Sequence, residues 1–123
     1  MTLVVDDKRK LVTVTITSGA TGLSDAVDLG GYWVAAIDMS TGWTAASLSF
    51  QACNTSGGTF VDLYDQNGIE WTATSTASRA VSVDSDLATA LYGHRWLKVR
   101  SGTTTGVVAQ TTTRTLYLVA TPA

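Results

Sequence analysis

Residues 11 to 17 read Leu11-Val12-Thr13-Val14-Thr15-Ile16-Thr17, and the alternation within that run decides the fold class. Val12, Val14 and Ile16 fall on one side of an extended chain and Thr13, Thr15 and Thr17 on the other, because successive strand residues point to opposite faces. The run predicts a half-buried strand with one dry face. Leu48, Phe50 and Ala52 set between Ser47, Ser49 and Gln51 read the same way, as do Leu116 and Leu118 near the C-terminus.

Turn signals punctuate the chain between such runs: Ser18-Gly19, Gly30-Gly31, Thr41-Gly42, Ser56-Gly57-Gly58, Asn67-Gly68, Ser101-Gly102 and Gly106. Strands of five to eight residues fit the gaps. Asn67-Gly68 predicts a two-residue type I′ hairpin joining Phe60 to Asp65 with Ile69 to Thr74, since Asn and Gly best tolerate positive φ at both central positions. Thr, Val, Ser and Gly dominate and disfavour helix. Only Ser85 to Leu91 reads as a helical turn, capped by Asp84 or Ser85. The Thr-rich stretches 103–105 and 111–113 read as the wet faces of strands. About eight or nine strands are too many for one flat sheet in a chain this short, so the expectation is all-β: a two-sheet antiparallel β-sandwich of jelly-roll type. Residues 1–9 read as an N-terminal segment, an arm or first edge strand, and 10–123 as a single sandwich domain.

At 123 residues with 45% hydrophobic content, one domain can bury a sizeable core without a disulfide or metal. The net charge of −2 and eight basic residues leave no concentrated basic stripe for a nucleic acid. Lys8-Arg9-Lys10 follows Asp6-Asp7 and is largely self-neutralised. Met1 to Val5 run straight into charge, so a signal peptide is not expected, and no stretch reaches the roughly 20 apolar residues that span a bilayer. Asn54-Thr55-Ser56 matches a glycosylation sequon but reads as turn chemistry.

Catalysis has little to work with. His94 is the single histidine, Cys53 the single cysteine, and no Gly-x-Ser-x-Gly elbow is present, so no enzyme activity and no cofactor are expected. Asp25, Asp28, Asp38, Asp62, Asp65, Asp84 and Asp86 gather near strand ends, where ligand type alone is compatible with a structural calcium. The ordered Asp-x-Asp-x-Asp-Gly loop is absent, however, and no metal site is assigned. The aromatic residues divide between core and surface. Trp33 shares a strand face with Ile37 and is expected inside, whereas Trp96 alternates with Lys98 and Arg100 and is expected outside; Trp43, following Gly42, and Trp71, following Glu70, are evenly balanced between core and surface. Trp43, Trp71, Trp96, Lys98 and Arg100 together form the expected interaction surface, Trp and Arg being the residues that anchor interfaces.

Two family resemblances follow from the order of these segments. The run from Ser47 to Leu63, with a strand, a polar Asn54-Thr55-Ser56-Gly57-Gly58 turn and then Phe60-Val61, resembles the middle of the galactose-binding-like jelly roll of discoidin and carbohydrate-binding modules. Arg95-Trp96-Leu97-Lys98-Val99-Arg100 is similar to a late strand of those modules, and Val27-Asp28-Leu29-Gly30-Gly31 extends the likeness over about residues 25 to 118. It implies a fold, and a carbohydrate-binding module as the alternative function. The chain also resembles small structural proteins of tailed phages and prophages. Here the cues are Val14-Thr15-Ile16-Thr17-Ser18-Gly19-Ala20, Ala26-Val27-Asp28-Leu29-Gly30-Gly31, Gly42 to Gln51 and Leu97-Lys98-Val99-Arg100-Ser101-Gly102-Thr103. This second resemblance implies a capsid decoration or head-spike protein, made in the host cytoplasm and residing in the virion. Its expected partners are the major capsid protein or other virion proteins, a homo-oligomer and surface glycans, with no nucleic acid and no membrane. Met1 to Val5 are expected to extend as an arm that adds a strand to a neighbour.

Overall fold

The computed structural model describes residues 8–19 and 21–122. The expected arm, Met1 to Val5, lies outside the described residues.

Among the described residues nine strands and one helix follow in order: β1 (Lys10–Ile16), β2 (Val27–Asp28), β3 (Tyr32–Asp38), β4 (Leu48–Cys53), β5 (Val61–Asp62), β6 (Thr72–Ala73), β7 (Ala80–Ser82), α1 (Ser85–Tyr92), β8 (Trp96–Ser101) and β9 (Arg114–Pro122). They form two antiparallel sheets, β1-β9-β3-β7 and β2-β8-β4-β5, with β6 also pairing to β4. The expectation of an all-β sandwich holds, and the chain crosses repeatedly from one sheet to the other as in a jelly roll.

The alternation read from the sequence fills the space between the sheets. Val14 and Ile16 from β1, Leu116 and Leu118 from β9, Leu48 and Phe50 from β4, and Leu97 and Val99 from β8 are all fully buried in one cluster. Removing that much apolar surface from water is the main favourable term for a domain of this size. Register follows the pattern: Val14 lies opposite Leu116 and Phe50 opposite Val99.

Trp33 departs from expectation. The β3–β9 register shifts between Val34 and Ala36, an irregularity of β-bulge type. The extra residue reverses the alternation, so Val34 and Ile37 face the core while Trp33 takes the opposite face. Trp33 is half-buried there, stacked on Tyr92 with ring centroids 4.0 Å apart and planes 5° from parallel. Helix α1 forms where the sequence indicates. The Asp84 side chain accepts from the Leu87 amide at 2.8 Å, and Leu87 and Leu91, one turn apart, enter the core.

The hairpin around Asn67-Gly68 also forms, with different turn chemistry. Tyr64 pairs with Glu70, and the Asp65 amide donates to Ile69 O at 2.8 Å, leaving three residues in the loop instead of two. Gly68 takes φ of 77° but Asn67 does not enter the positive-φ region. This is a type I turn closed by a glycine, with Asp65 Oδ1 accepting from the amides of Asn67 and Ile69. Its arms do not run on into a long ribbon. β5 and β6 both pair with β4, at Gln51–Ala52 and Leu48–Ser49 respectively, and residues 63–71 loop out from between them.

The two Thr-rich stretches are loops, not strands. The first is held by Glu70, which accepts from the Thr104 amide at 3.1 Å, and the second follows directly on a buried side chain. Buried Gln110 clamps one region: its amide oxygen accepts from the Thr44 amide at 2.8 Å, and its nitrogen donates to Thr44 O at 3.0 Å and to Ser101 Oγ at 2.9 Å. Nearby, Gly102 has φ of 95° and lies so close to the 106–108 backbone that a Cβ would stand 2.7 Å from the Val108 nitrogen. Gly102→Ala therefore carries both left-handed strain and a backbone clash. We expect it to cost at least about 1–3 kcal/mol in urea unfolding, whereas Gly57→Ala, with open space around its Cβ position, is expected to cost only the left-handed strain.

Candidate functional site

Strand β8 sends Trp96, Lys98 and Arg100 to the outer face of its sheet, as the alternation predicts. The three meet different fates. Trp96 is half-buried with the Arg95 guanidinium 5.4 Å from its ring centroid, and Arg95 is in turn paired with Asp28. That pairing holds the Asp28 carboxyl below its ordinary value, with burial opposing, and raises Arg95. Lys98 Nζ sits 4.7 Å from the centroid of Phe60.

Arg100 is not a surface residue, which corrects the sequence expectation: it is 5% exposed. Residues 63–71 and the loop after β8 close over it. Its guanidinium pairs with Asp62 and, at 3.4 Å, with Glu70, and donates to Ser49 Oγ at 3.2 Å. Glu70 passes the constraint on, accepting from the Thr104 amide at 3.1 Å. Ser49 donates to Gly102 O at 2.7 Å, so the polar face of β4, expected to be wet, is dry at this position. The guanidinium holds Asp62 below the usual carboxylate value, helped by Gln51 and opposed by burial.

Trp43 is likewise corrected. At 5% exposure it belongs to the core cluster, because the loop following β3 folds its indole inward, where Nε1 donates to Ala46 O at 3.3 Å. Trp71 is half-buried against the same core.

The remainder of Trp71 opens into a cleft of about 550 Å³ between the hairpin tip and helix α1. Tyr64, Asp65, Gln66 and Asn67 form one wall and Asp86, Thr89 and Ala90 the other. Tyr64 is 46% exposed. Asp65 spends one oxygen on its own turn and keeps the other. The cleft thus offers two aromatic surfaces, two carboxylates, two amides and two hydroxyls, with no basic side chain in its lining. Such a set can stack on a flat or ring-shaped ligand and accept hydrogen bonds from it. Of this group the sequence placed Trp71 on the expected interaction surface, and named Asp65 and Asp86 only among the acidic residues near strand ends. The two walls, 64–67 and 86–90, are about 19 to 26 residues apart in the chain and are brought together by tertiary packing, so no local spacing announces them.

The His94 ring approaches the Asn54 amide at 3.4 Å, and the buried Cys53 thiol donates to Thr55 O. Among the described residues no group of three or more His, Cys, Asp or Glu side chains is placed to hold a metal ion, and no helix is long and apolar enough to cross a membrane.

Elsewhere, the outer face of the β1-β9-β3 sheet is nearly free of charge. Leu11 lies opposite Val119, which lies opposite Ala36, and the next row is Thr13, Tyr117 and Asp38. Leu11 is 64% exposed and Tyr117 is exposed as well.

No protein-family model and no curated protein matches the chain. Among solved structures it is similar to the SPBc2 prophage-derived protein YomS, at 16% sequence identity and a TM-score of 0.46, over 97% of this chain and 100% of that one.

Arg100→Met strands Asp62 and Glu70 together without their cation. We expect a loss of about 3–5 kcal/mol by chemical denaturation, the range for breaking a buried ion pair. In the unaltered protein Asp62 has a folded-state value below its ordinary 3.8, so its contribution to stability is present above pH 3.8 and is lost as pH falls through the lowered value. Acid titration of stability should show this loss in the wild type and not in Arg100→Met.

Proposed function

We propose that the chain is a non-enzymatic structural protein of a tailed-phage virion, decorating or stabilising the capsid surface through protein–protein contacts. The observation that carries this reading is the outer face of the β1-β9-β3 sheet. Its Leu11, Val119, Ala36 and Tyr117 form a largely apolar patch bordered by Thr13 and by Asp38. Contiguous exposed apolar surface with a polar rim is what protein interfaces present, and a broad flat face suits docking on an ordered shell better than gripping a small ligand. The sequence likeness to phage structural proteins supports the same reading. Repetition strengthens it, because many copies engaged at once make a modest single contact sufficient. The major capsid protein is the proposed partner and the virion the proposed location.

The cleft between the hairpin and α1 favours a second reading, a carbohydrate-binding module, in which Tyr64 and Trp71 stack on a sugar ring while Asp65, Asn67 and Asp86 take its hydroxyls. The other sequence-derived candidates, Trp96 and Lys98, remain partly exposed on the outer face of the opposite sheet, outside both the β1-β9-β3 face and the lining of the cleft.

Purified particles resolved on a density gradient and analysed by mass spectrometry test the first reading: it expects the chain at high stoichiometry on heads, and absence from particles overturns it. Tyr117→Lys, which puts a charge into the patch opposite Asp38 without a like-charge pair, should abolish attachment of the added protein to particles while leaving its unfolding free energy within about 1 kcal/mol of wild type. For the second reading, titration with an oligosaccharide panel should shift tryptophan fluorescence in the wild type and not in Trp71→Ala. An unresponsive wild type removes that reading.

A further inference from the structure

The two sheets differ in what they leave at their margins. β2, β5, β6 and β7 are two or three residues long, whereas β1 presents seven residues on the outside of its sheet. Long edges without proline or bulge are the ones that natural proteins ordinarily cover, and the one charge of β1, Lys10, stands at its first residue, clear of the stretch from Leu11 to Thr13. Only the far end of this edge is covered among the described residues. The Asp25 amide donates to Thr15 O at 3.4 Å, and Ser24 bridges Ile16. That bond shows that Thr15 turns its backbone groups outward, so by the two-residue alternation Leu11 and Thr13 do the same, while Val12 and Val14 bond to β9. Among the described residues, nothing accepts from or donates to Leu11 and Thr13 on that side.

We propose that this edge pairs with the same edge of a second copy, antiparallel and about a two-fold axis through Val12. The register follows from what is open. Leu11 of one copy lies opposite Thr13 of the other, each exchanging N–H and C=O with its partner, and the two-fold repeats the exchange. Val12 faces Val12 in the non-bonded pair between them. Lys10 of the partner then lies opposite Val14, beside the exposed carboxylate of Asp25, where the Ser24–Asp25 segment ends the open stretch.

Charge selects this direction over the parallel one. Parallel pairing sets Lys10 beside Lys10 at roughly 5 Å, whereas the antiparallel register separates them by about 14 Å, beyond the ~8 Å screening length of physiological salt. The pairing is isologous, as a closed dimer requires. It also makes one continuous sheet whose outer face doubles the row of Leu11, Val119 and Tyr117. The dimer itself does not depend on the virion reading.

Sedimentation equilibrium over a wide concentration range tests it with the chain alone. The 12.9 kDa wild type is expected to approach twice that mass at high concentration. Thr13→Pro should stay at the mass of one chain, because proline removes an N–H that β1 does not give to β9 and is tolerated on an edge strand. Near-ultraviolet circular dichroism confirms that this variant is folded. Val12→Cys, which keeps the backbone intact, gives an independent readout. Its Cα atoms would be about 4.5 Å apart across the axis, within disulfide reach, and mild oxidation should yield a dimer linked through residue 12 in peptide mass spectra. A wild type that is monomeric at every concentration, a dimer that persists in folded Thr13→Pro, or a Val12→Cys protein that forms no 12–12 link overturns the proposal. Presence on or absence from particles bears only on the virion reading.

Discussion

A guanidinium removed from water has to be answered by carboxylates, and in this protein that requirement organises one whole side of the sandwich. Arg100 occupies an outward position of β8, where its cost in isolation would be several kcal/mol. Asp62 and Glu70 offset that cost from either side. Because those two residues flank the excursion between β5 and β6, pairing them to one cation fixes where residues 63–71 sit. Glu70 then holds the loop after β8 through Thr104. The hairpin wall of the cleft is therefore a consequence of a charge balance formed underneath it.

The adjoining end of β8 is organised by a neutral counterpart. Gln110 uses both ends of its amide on Thr44 and so mimics a strand partner for a segment that has none. Backbone groups in long connections must be satisfied as fully as those in sheets, and a buried side-chain amide is one of the few groups able to serve a donor and an acceptor together. With the Arg100 and Gln110 networks in place, the connections after β3 and β8 pack as firmly as strands do, and Trp43 can complete the core from within a loop.

How far these features were legible in the sequence depends on the range of the interaction. Val12-Thr13-Val14-Thr15-Ile16 and Leu48-Ser49-Phe50 disclosed strands, because period two is a local consequence of the pleat. Asp84 disclosed its helix because a cap bonds three residues ahead. Asn67-Gly68 disclosed a turn but not its type, since Asp65 added an acceptor that favours a longer loop. Trp33 was misplaced by one inserted residue in β3, which period reading cannot detect. Arg100 and Trp43 were assigned to the surface because residue type and local spacing carry no information about what folds over them. The cleft was invisible for the same reason, being assembled from a turn and a helix that meet only in three dimensions.

The cleft's two walls have separate anchors. The hairpin wall is fixed through Glu70 and Asp62 to the sheet containing β4 and β8, whereas α1 is fixed through Leu87, Leu91 and the Trp33–Tyr92 stack to the core and to β3 of the other sheet. Among the described residues no hydrogen bond or ion pair crosses between the walls. The gap is thus a gauge of how one sheet lies over the other: a small shear in the sandwich opens or narrows it, and an occupant wedged there resists that shear. A molecule lodged at the surface of this domain acts mechanically as a pin through both of its layers.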